Sequence, residues 1–376
     1  MSKKIFIMAG EPSGDLQGSF VIRELKKIID EDIIISGMAG DLCKEQGVEL
    51  ICNSMSSMSF VGPWHALGKI PFLIKCWHII KRKLLEFKPD LVFMIDSPAW
   101  NMRIGKVAKR AGFKTVYYFP PSAWYRDEKR AKSILSVSDY IIPVFAYNVE
   151  TYKQFNLPYH YFGHPIVDVV NEKLSACTED IVPKDKTAIA FLPGSRKQEI
   201  DSLMKIFIKT MKMLMNKREN LFFVIPASCD KNKSLIESYL KDDTIPYKVV
   251  TGGSYKAFKN ARATVTASGT ATLEAAVSRV PMTVVYRLAV PDYFLGKLLG
   301  IKVPFFAAPN LVLQRKIVPE LLQDEVNPER LTEETLKLLD DTPERNQMLK
   351  DLDEVKKNLG ELGTVKNIAK FISEIL

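Results

Sequence analysis

The segment "LVFMIDSPAWN" ends an apolar run on a carboxylate, Asp96. A carboxylate at the end of a buried strand is partly stripped of water. That raises its affinity for a proton and suits it to take one from an attacking hydroxyl. The same residue type also caps a helix, here one beginning near Asn101, and the segment alone leaves both roles open. Earlier, "KIFIMAGEPSGD" gathers Glu11, Ser13 and Asp15 into one glycine-containing turn. Gly10, Gly14 and Gly18 do not fit the G-x-G-x-x-G spacing, so this turn is not a dinucleotide fingerprint. "YFGHP" sets His164 at the end of the first half of the chain, in front of the expected cleft. A lone histidine is more often structural than catalytic, and Asp96 is the preferred base.

The second half carries chemistry suited to anions. In "TASGTATLEAAV" a strand ends at Ser268, Gly269 and Thr270, and a helix follows. Such a helix start directs unpaired N–H groups and a positive dipole end at an anion. The Ser268, Thr270 and Thr272 hydroxyls add donors for a diphosphate. Glu274, one turn further on, is spaced to accept hydrogen bonds from ribose hydroxyls. An ordinary capped helix with Thr270 as N-cap is the competing reading. "FLPGSRKQEI" repeats the strand, glycine turn and helix pattern through Gly194, Ser195 and Arg196. The guanidinium of Arg196 bridges phosphate oxygens in a fork that lysine lacks. Two such turns in one domain favour a nucleotide diphosphate, and the missing Walker lysine excludes a phosphate-transferring P-loop.

These groups require strands to carry them. Short apolar runs at Ile5–Met8, Ile33–Ser36, Leu91–Ile95, Thr115–Phe119 and Tyr140–Pro143 alternate with helical patterns. "VNEKLSACTEDIVPKDK" breaks the rhythm, which restarts at "TAIAFLPGSR" and runs through "MTVVYR". The pattern predicts an α/β protein of two Rossmann-like, doubly wound domains facing a cleft. The expected boundaries are residues 1–169, a linker over 170–186, a second domain over 187–342, and helices over 343–376. Those last helices are expected to pack back on the first domain or on a partner subunit.

Composition narrows the class. At 376 residues the chain has room for two cores. Five cysteines without a C-x-x-C pair point to a reducing cytosol and to neither a disulfide frame nor a zinc site. Glu11 interrupts the first apolar run, so no signal peptide is expected, and no run of about 18 apolar residues spans a membrane. Residues 66–132 carry 15 Lys/Arg against 5 Asp/Glu, which accounts for the whole net charge of +9. A basic face attracts anionic lipid, phosphorylated substrates or nucleic acid, and no nucleic-acid motif accompanies it. Within it, a helix from about Pro71 shows one apolar stripe, Ile70, Leu73, Ile74, Trp77, Ile80 and Leu84, suited to a sheet. A second strip of Phe72, Cys76, Ile79 and Phe87 lies beside Lys75, Arg82 and Lys83. Met55, Met58, Phe60, Val61 and Trp64 precede it. Cations along that strip make burial costly and favour an interfacial helix that snorkels them to headgroups.

In order along the chain stand "AGEPSGD", "IDSPAWN", "PPSAW", "YFGHP", "LPGSRKQEI", "ASGTATLEAA" and "PNLVLQRKIVPELLQ". Together they resemble the lipid-A-disaccharide synthase family over nearly the whole chain. The resemblance implies a GT-B arrangement and inverting glycosyl transfer without a metal or other cofactor. The implied donor is UDP-2,3-diacylglucosamine, and the implied acceptor is 2,3-diacylglucosamine 1-phosphate. It further implies UDP held by Arg196, Ser268, Thr270 and Glu274, with Asn310 and Gln314 lining the cleft and Glu320 nearby. Glu11, Ser13 and Asp15 would face the acceptor, and Asp96 would be the base. The family commonly has an acidic residue where this chain has Ala99. A cytoplasmic enzyme peripheral on the inner membrane is implied, with a homo-oligomer left open. A non-hydrolysing UDP-sugar 2-epimerase on the same scaffold is the alternative.

Overall fold

The computed structural model describes residues 2–29, 32–53, 70–121, 128–241, 243–287 and 305–376. Among them the chain forms two compact units. One comprises Met1–Pro165 with Leu359–Leu376, and the other Ile166–Asn358. Both are α/β, and each is built on a parallel six-stranded sheet.

In the first unit the strands are β1 (Lys3–Ala9), β2 (Ile33–Ala39), β3 (Glu49–Asn53), β4 (Leu91–Ile95), β5 (Lys114–Tyr118) and β6 (Tyr140–Ile142). Their order is β3-β2-β1-β4-β5-β6. From Ile5 to Ala9 in β1 and throughout β4 every residue is apolar and buried, as expected of a parallel sheet covered on both faces. Phe6, Met8, Val92, Met94 and Tyr117 lie in one core with Ile80 and Leu84. Helices α1 (Pro12–Ile28), α2 (Asp41–Glu45), α3 (Ile70–Phe87), α4 (Pro98–Arg110), α5 (Glu128–Leu135) and α6 (Ala146–Gln154) complete this part.

The second unit opens with helix α7 (Ile166–Ala176), so the expected linker over 170–186 begins inside a helix. Its apolar Ile166, Val167, Val169 and Val170 are buried, which fastens the segment to this unit. The strands are β7 (Thr187–Leu192), β8 (Leu221–Ala227), β9 (Tyr247–Thr251), β10 (Ala261–Ala267), β11 (Met282–Tyr286) and β12 (Glu320–Leu322). Their order, β12-β11-β10-β7-β8-β9, is the topology of the first sheet again. The helices are α8 (Lys197–Met215), α9 (Asp230–Leu240), α10 (Tyr255–Phe258), α11 (Thr270–Val277), α12 (Ala308–Leu313), α13 (Pro328–Lys337) and α14 (Pro343–Leu359). Arg279–Asp353 and Arg315–Asp351 ion pairs tie α14 to this unit.

The last helix, α15 (Thr364–Ile375), belongs to the first unit and packs along α1. Phe371 meets Tyr140 and His160, and the Lys3 ammonium donates to the Leu376 carbonyl at 2.9 Å.

Candidate active site

In each unit the strand order reverses between the first and fourth strands, at β1/β4 and at β7/β10. Such a switch point opens a crevice at the carboxyl ends of the strands. Glu11 and Ser13 follow β1, and Asp96 follows β4. Arg196 follows β7, and Ser268 to Thr270 follow β10. The sheet topology therefore gathers the predicted residues at two switch points.

Asp96 and Ser97 both adopt left-handed backbone, with φ of 52° and 42°. Two such residues in succession, neither a glycine, cost on the order of 1 kcal/mol or more each. The Asp96 carbonyl accepts from Tyr117 Oη at 2.9 Å and from Asn101 Nδ2 at 2.6 Å. Asn101 also donates to the carbonyls of Ile95 and Met8. The carboxylate of Asp96 accepts from Ser13 Oγ at 3.2 Å. Burial raises its pKa above the usual carboxylate value, and the Ser13 and Ser97 hydrogen bonds only partly oppose that. The capping alternative finds no support, since Ser97 is the N-cap of α4. Ala99 is exposed on the first turn of that helix.

Asp15 does something other than face an acceptor. Its carboxylate accepts from the backbone N–H groups of Gly40, Leu42 and Cys43 at 2.8, 3.1 and 3.1 Å. It is buried, and it caps the start of α2. The sequence reading put Asp15 in the turn, whereas the helix already begins at Pro12 and Asp15 stands in its first turn. His164 is likewise internal, between the rings of Phe119 and Phe145, where burial holds its pKa down to about 3. His164 is thus a neutral imidazole enclosed between two rings.

In the second unit Gly194 has φ 101°, and a Cβ there would lie 2.3 Å from Glu199 Oε2. That carboxylate accepts from the N–H groups of Ser195 and Arg196, at 2.9 and 3.1 Å, while Arg196 Nη1 donates to Glu199 Oε1 at 3.1 Å. The Arg-x-x-Glu spacing carries this signal, which the sequence reading missed. Gly269, with φ 157° and ψ −165°, has none of the described residues within 4 Å of a would-be Cβ. This backbone region is essentially reserved for glycine. Thr270 is exposed at the start of α11. Ser268 Oγ donates to the Phe306 carbonyl at 2.7 Å and Thr272 Oγ1 to the Gly269 carbonyl at 2.8 Å, so both hydroxyl protons are already used. Glu274 accepts from Ser254 Oγ and, at 2.9 Å, from Tyr255 Oη. Burial raises its pKa, with those two bonds opposing. Sequence reading missed Ser254 and Tyr255 because they lie about twenty residues away from the motif they serve.

Asn310 does not line a binding surface. It is fully buried, donates to Val318 O and Glu320 Oε1, and accepts from the N–H groups of Ile317 and Val318. Glu320 in turn accepts from the N–H groups of Phe306 and Ala307. Asn310 fastens the loop between α12 and β12, and Glu320 fastens the backbone just before α12, each by satisfying main-chain groups. Gln314 is the left-handed C-cap of α12, and its side chain donates to the Leu311 carbonyl.

The core face of α3 is turned from the expected one. Cys76, Ile80 and Leu84, one above another at i, i+4 spacing, are buried, and Trp77 and Phe87 pack against them. Cys76 seats its sulfur 3.9 Å from that of Cys52 in β3, so it is core and no part of an outward strip. Ile74, expected inside, is 52% exposed, while Phe72 is 42% and Leu85 40% exposed. Ile79 is half-buried, and Lys75, Arg82 and Lys83 face solvent. Met55, Met58, Phe60, Val61 and Trp64, the side chain of Ile70, and Ser122 to Trp124 of "PPSAW" lie outside the described residues. No described helix is long and apolar enough to cross a membrane, and no described cluster of His, Cys, Asp and Glu suits a metal ion.

A family model described as "Lipid-A-disaccharide synthetase" matches residues 5–374. A lipid-A-disaccharide synthase of Persephonella marina is 33% identical, covering 99% of each chain. One of Geobacter metallireducens is 32% identical, covering 100% of this chain and 98% of its own. Among solved structures, a UDP-GlcNAc 2-epimerase from Neisseria meningitidis bound to UDP-GlcNAc gives a TM-score of 0.65 at 15% identity, covering 99% and 100% of the two chains. Spinosyn forosaminyltransferase SpnP gives 0.60 at 11%, covering 100% and 99%. At such low identity these two show a shared fold.

Proposed function

The chain belongs to the lipid-A-disaccharide synthase family, a glycosyltransferase family, and from that premise we propose that it joins two acylated glucosamines. The donor is UDP-2,3-diacylglucosamine and the acceptor 2,3-diacylglucosamine 1-phosphate. The products are the β-1,6-linked disaccharide 1-phosphate and UDP. The observation that carries the reading is Asp96 at the β1/β4 switch point, desolvated and hydrogen-bonded to Ser13. Its carboxylate takes the proton of the acceptor 6-hydroxyl as that oxygen attacks the anomeric carbon. The bond from that carbon to the diphosphate breaks on the opposite face, which inverts the centre and leaves the electron pair on UDP. Arg196 and the N–H groups at the start of α11 receive the growing charge. To meet the diphosphate, the guanidinium has to exchange its bond to Glu199. Glu274 accepts from the ribose, and Glu11 and Ser13 face the acceptor.

Mass spectrometry of products from both substrates tests this directly. Disaccharide phosphate and equimolar UDP are expected, with UDP appearing only when acceptor is present. UDP release or 2-epimerised sugar without acceptor would point to epimerase chemistry instead.

The enzyme works at the cytoplasmic face of the inner membrane, docked through the outer face of α3. Phe72, Ile74 and Leu85 supply exposed apolar surface, and Lys75, Arg82 and Lys83 supply charge for anionic headgroups. Phe72→Ser with Ile74→Ser is expected to cut binding to phosphatidylglycerol vesicles in a flotation assay without lowering the thermal midpoint. Unchanged flotation would remove this face from docking.

A further inference from the structure

The Asp96 carbonyl receives two side-chain donors from two different elements, Tyr117 of β5 and Asn101 of α4. Both donors are fully buried. Asn101 also spans the carbonyls of Ile95 and Met8, joining the ends of β4 and β1 on either side of the switch point. Resting on the assignment of Asp96 as the base, we infer that Tyr117 and Asn101 are positioning residues for the glycosyl transfer. They hold the Asp96–Ser97 turn in its left-handed conformation and so aim the carboxylate.

The local costs support this purpose. Asp96 and Ser97 are both left-handed without being glycine. Asn101 Oδ1 and Ser97 Oγ are buried without a hydrogen-bond partner among the described residues. A position selected for stability alone would not leave two orphan polar atoms beside two strained residues. Strain of this kind persists only where surrounding structure over-determines it, and the two donors do that. Burial and the neighbouring Asp96 charge push the Tyr117 hydroxyl pKa upward, so it remains a donor throughout the working pH range.

Tyr117→Phe keeps the ring and its packing while removing one donor. We expect kcat to fall about fivefold to tenfold, the size of one hydrogen bond, with KM for both substrates within twofold. Because the effect passes through Asp96, the same change in an Asp96→Asn background should leave residual turnover unchanged within twofold. Asn101→Ala should show the same pattern with a larger loss, and if it does not fold the tyrosine cycle still decides. Near-normal kcat in Tyr117→Phe, or an equal loss in both backgrounds, overturns the inference. Near-normal turnover in Asp96→Asn alone would instead remove the base on which it rests.

Discussion

The turns after the fourth strand of each sheet, Asp96–Ser97 and Ser268–Gly269, occupy equivalent places in two copies of one topology, yet they are built by opposite means. The first forces two side-chain-bearing residues into left-handed backbone and clamps them from β5 and α4. The second uses a glycine with none of the described residues within 4 Å of where a Cβ would stand. A group that must move a proton needs its angle fixed, and fixing it costs stability locally. A turn that must admit phosphate oxygens needs backbone close to the ligand with no Cβ in the way. On the proposed roles, the same fold would place strain at the base and a glycine at the diphosphate.

The largest expected effect breaks the first turn. Asp96→Asn should lower turnover roughly 10²- to 10⁴-fold while UDP affinity, measured by calorimetry, stays the same. Its thermal midpoint at neutral pH should rise. Asp96 has a folded pKa above its unfolded one, so its stabilising contribution is present below the ordinary carboxylate pKa and lost as pH rises through the folded pKa. Removing the charge removes that loss. A folded variant with near-normal turnover would take Asp96 out of the mechanism.

Exchanging the turns' characters comes next. Gly269→Ala puts a Cβ where φ is 157° and ψ −165°, and UDP affinity should fall more than about tenfold. Ser97→Gly, the equivalent change in the other unit, should leave UDP affinity alone, hold or raise the thermal midpoint, and lower kcat a few-fold. If both variants changed UDP affinity alike, the two turns would not divide the labour as described. Arg196→Lys keeps the charge without the fork and should weaken UDP binding about fivefold to tenfold. Equal affinity there would remove Arg196 from the diphosphate.

The smallest effect concerns Glu274. Because burial raises its pKa, its ionised form is lost at a higher pH than for an ordinary carboxylate, and donor KM should rise as pH falls through that range. Tyr255→Phe removes a bond to the ionised carboxylate and should move the rise to still higher pH, as read from KM–pH profiles.

The strands and switch-point turns were legible because period and turn chemistry are local signals. Asp96, Arg196 and the Ser268–Thr270 turn follow strands, as the apolar runs indicated. The doubling into two doubly wound domains was legible from the rhythm that restarts after residue 186, whereas the strand order within each sheet was not, since it is set by which crossovers neighbour each other and residue patterns do not record that. Asp15 and Asn310 misled for a related reason. Each stands in a motif near the site, but buried backbone N–H groups elsewhere in the fold claim its oxygens. The outer face of α3 was misjudged by part of a turn because Cys76 packs against Cys52, a contact between distant segments.

The last helix also has a consequence for how the chain is made. Residues 166–358 form a continuous unit that can fold as soon as it leaves the ribosome, whereas α1 receives its α15 cover only when residues 359–376 emerge. The half bearing Asp96 is synthesised first and completed last, with α1 uncovered throughout translation of the other half. Truncation before Thr364 should therefore disable the first unit although every group assigned to its chemistry lies upstream, as read from the thermal melt and turnover of the shortened chain.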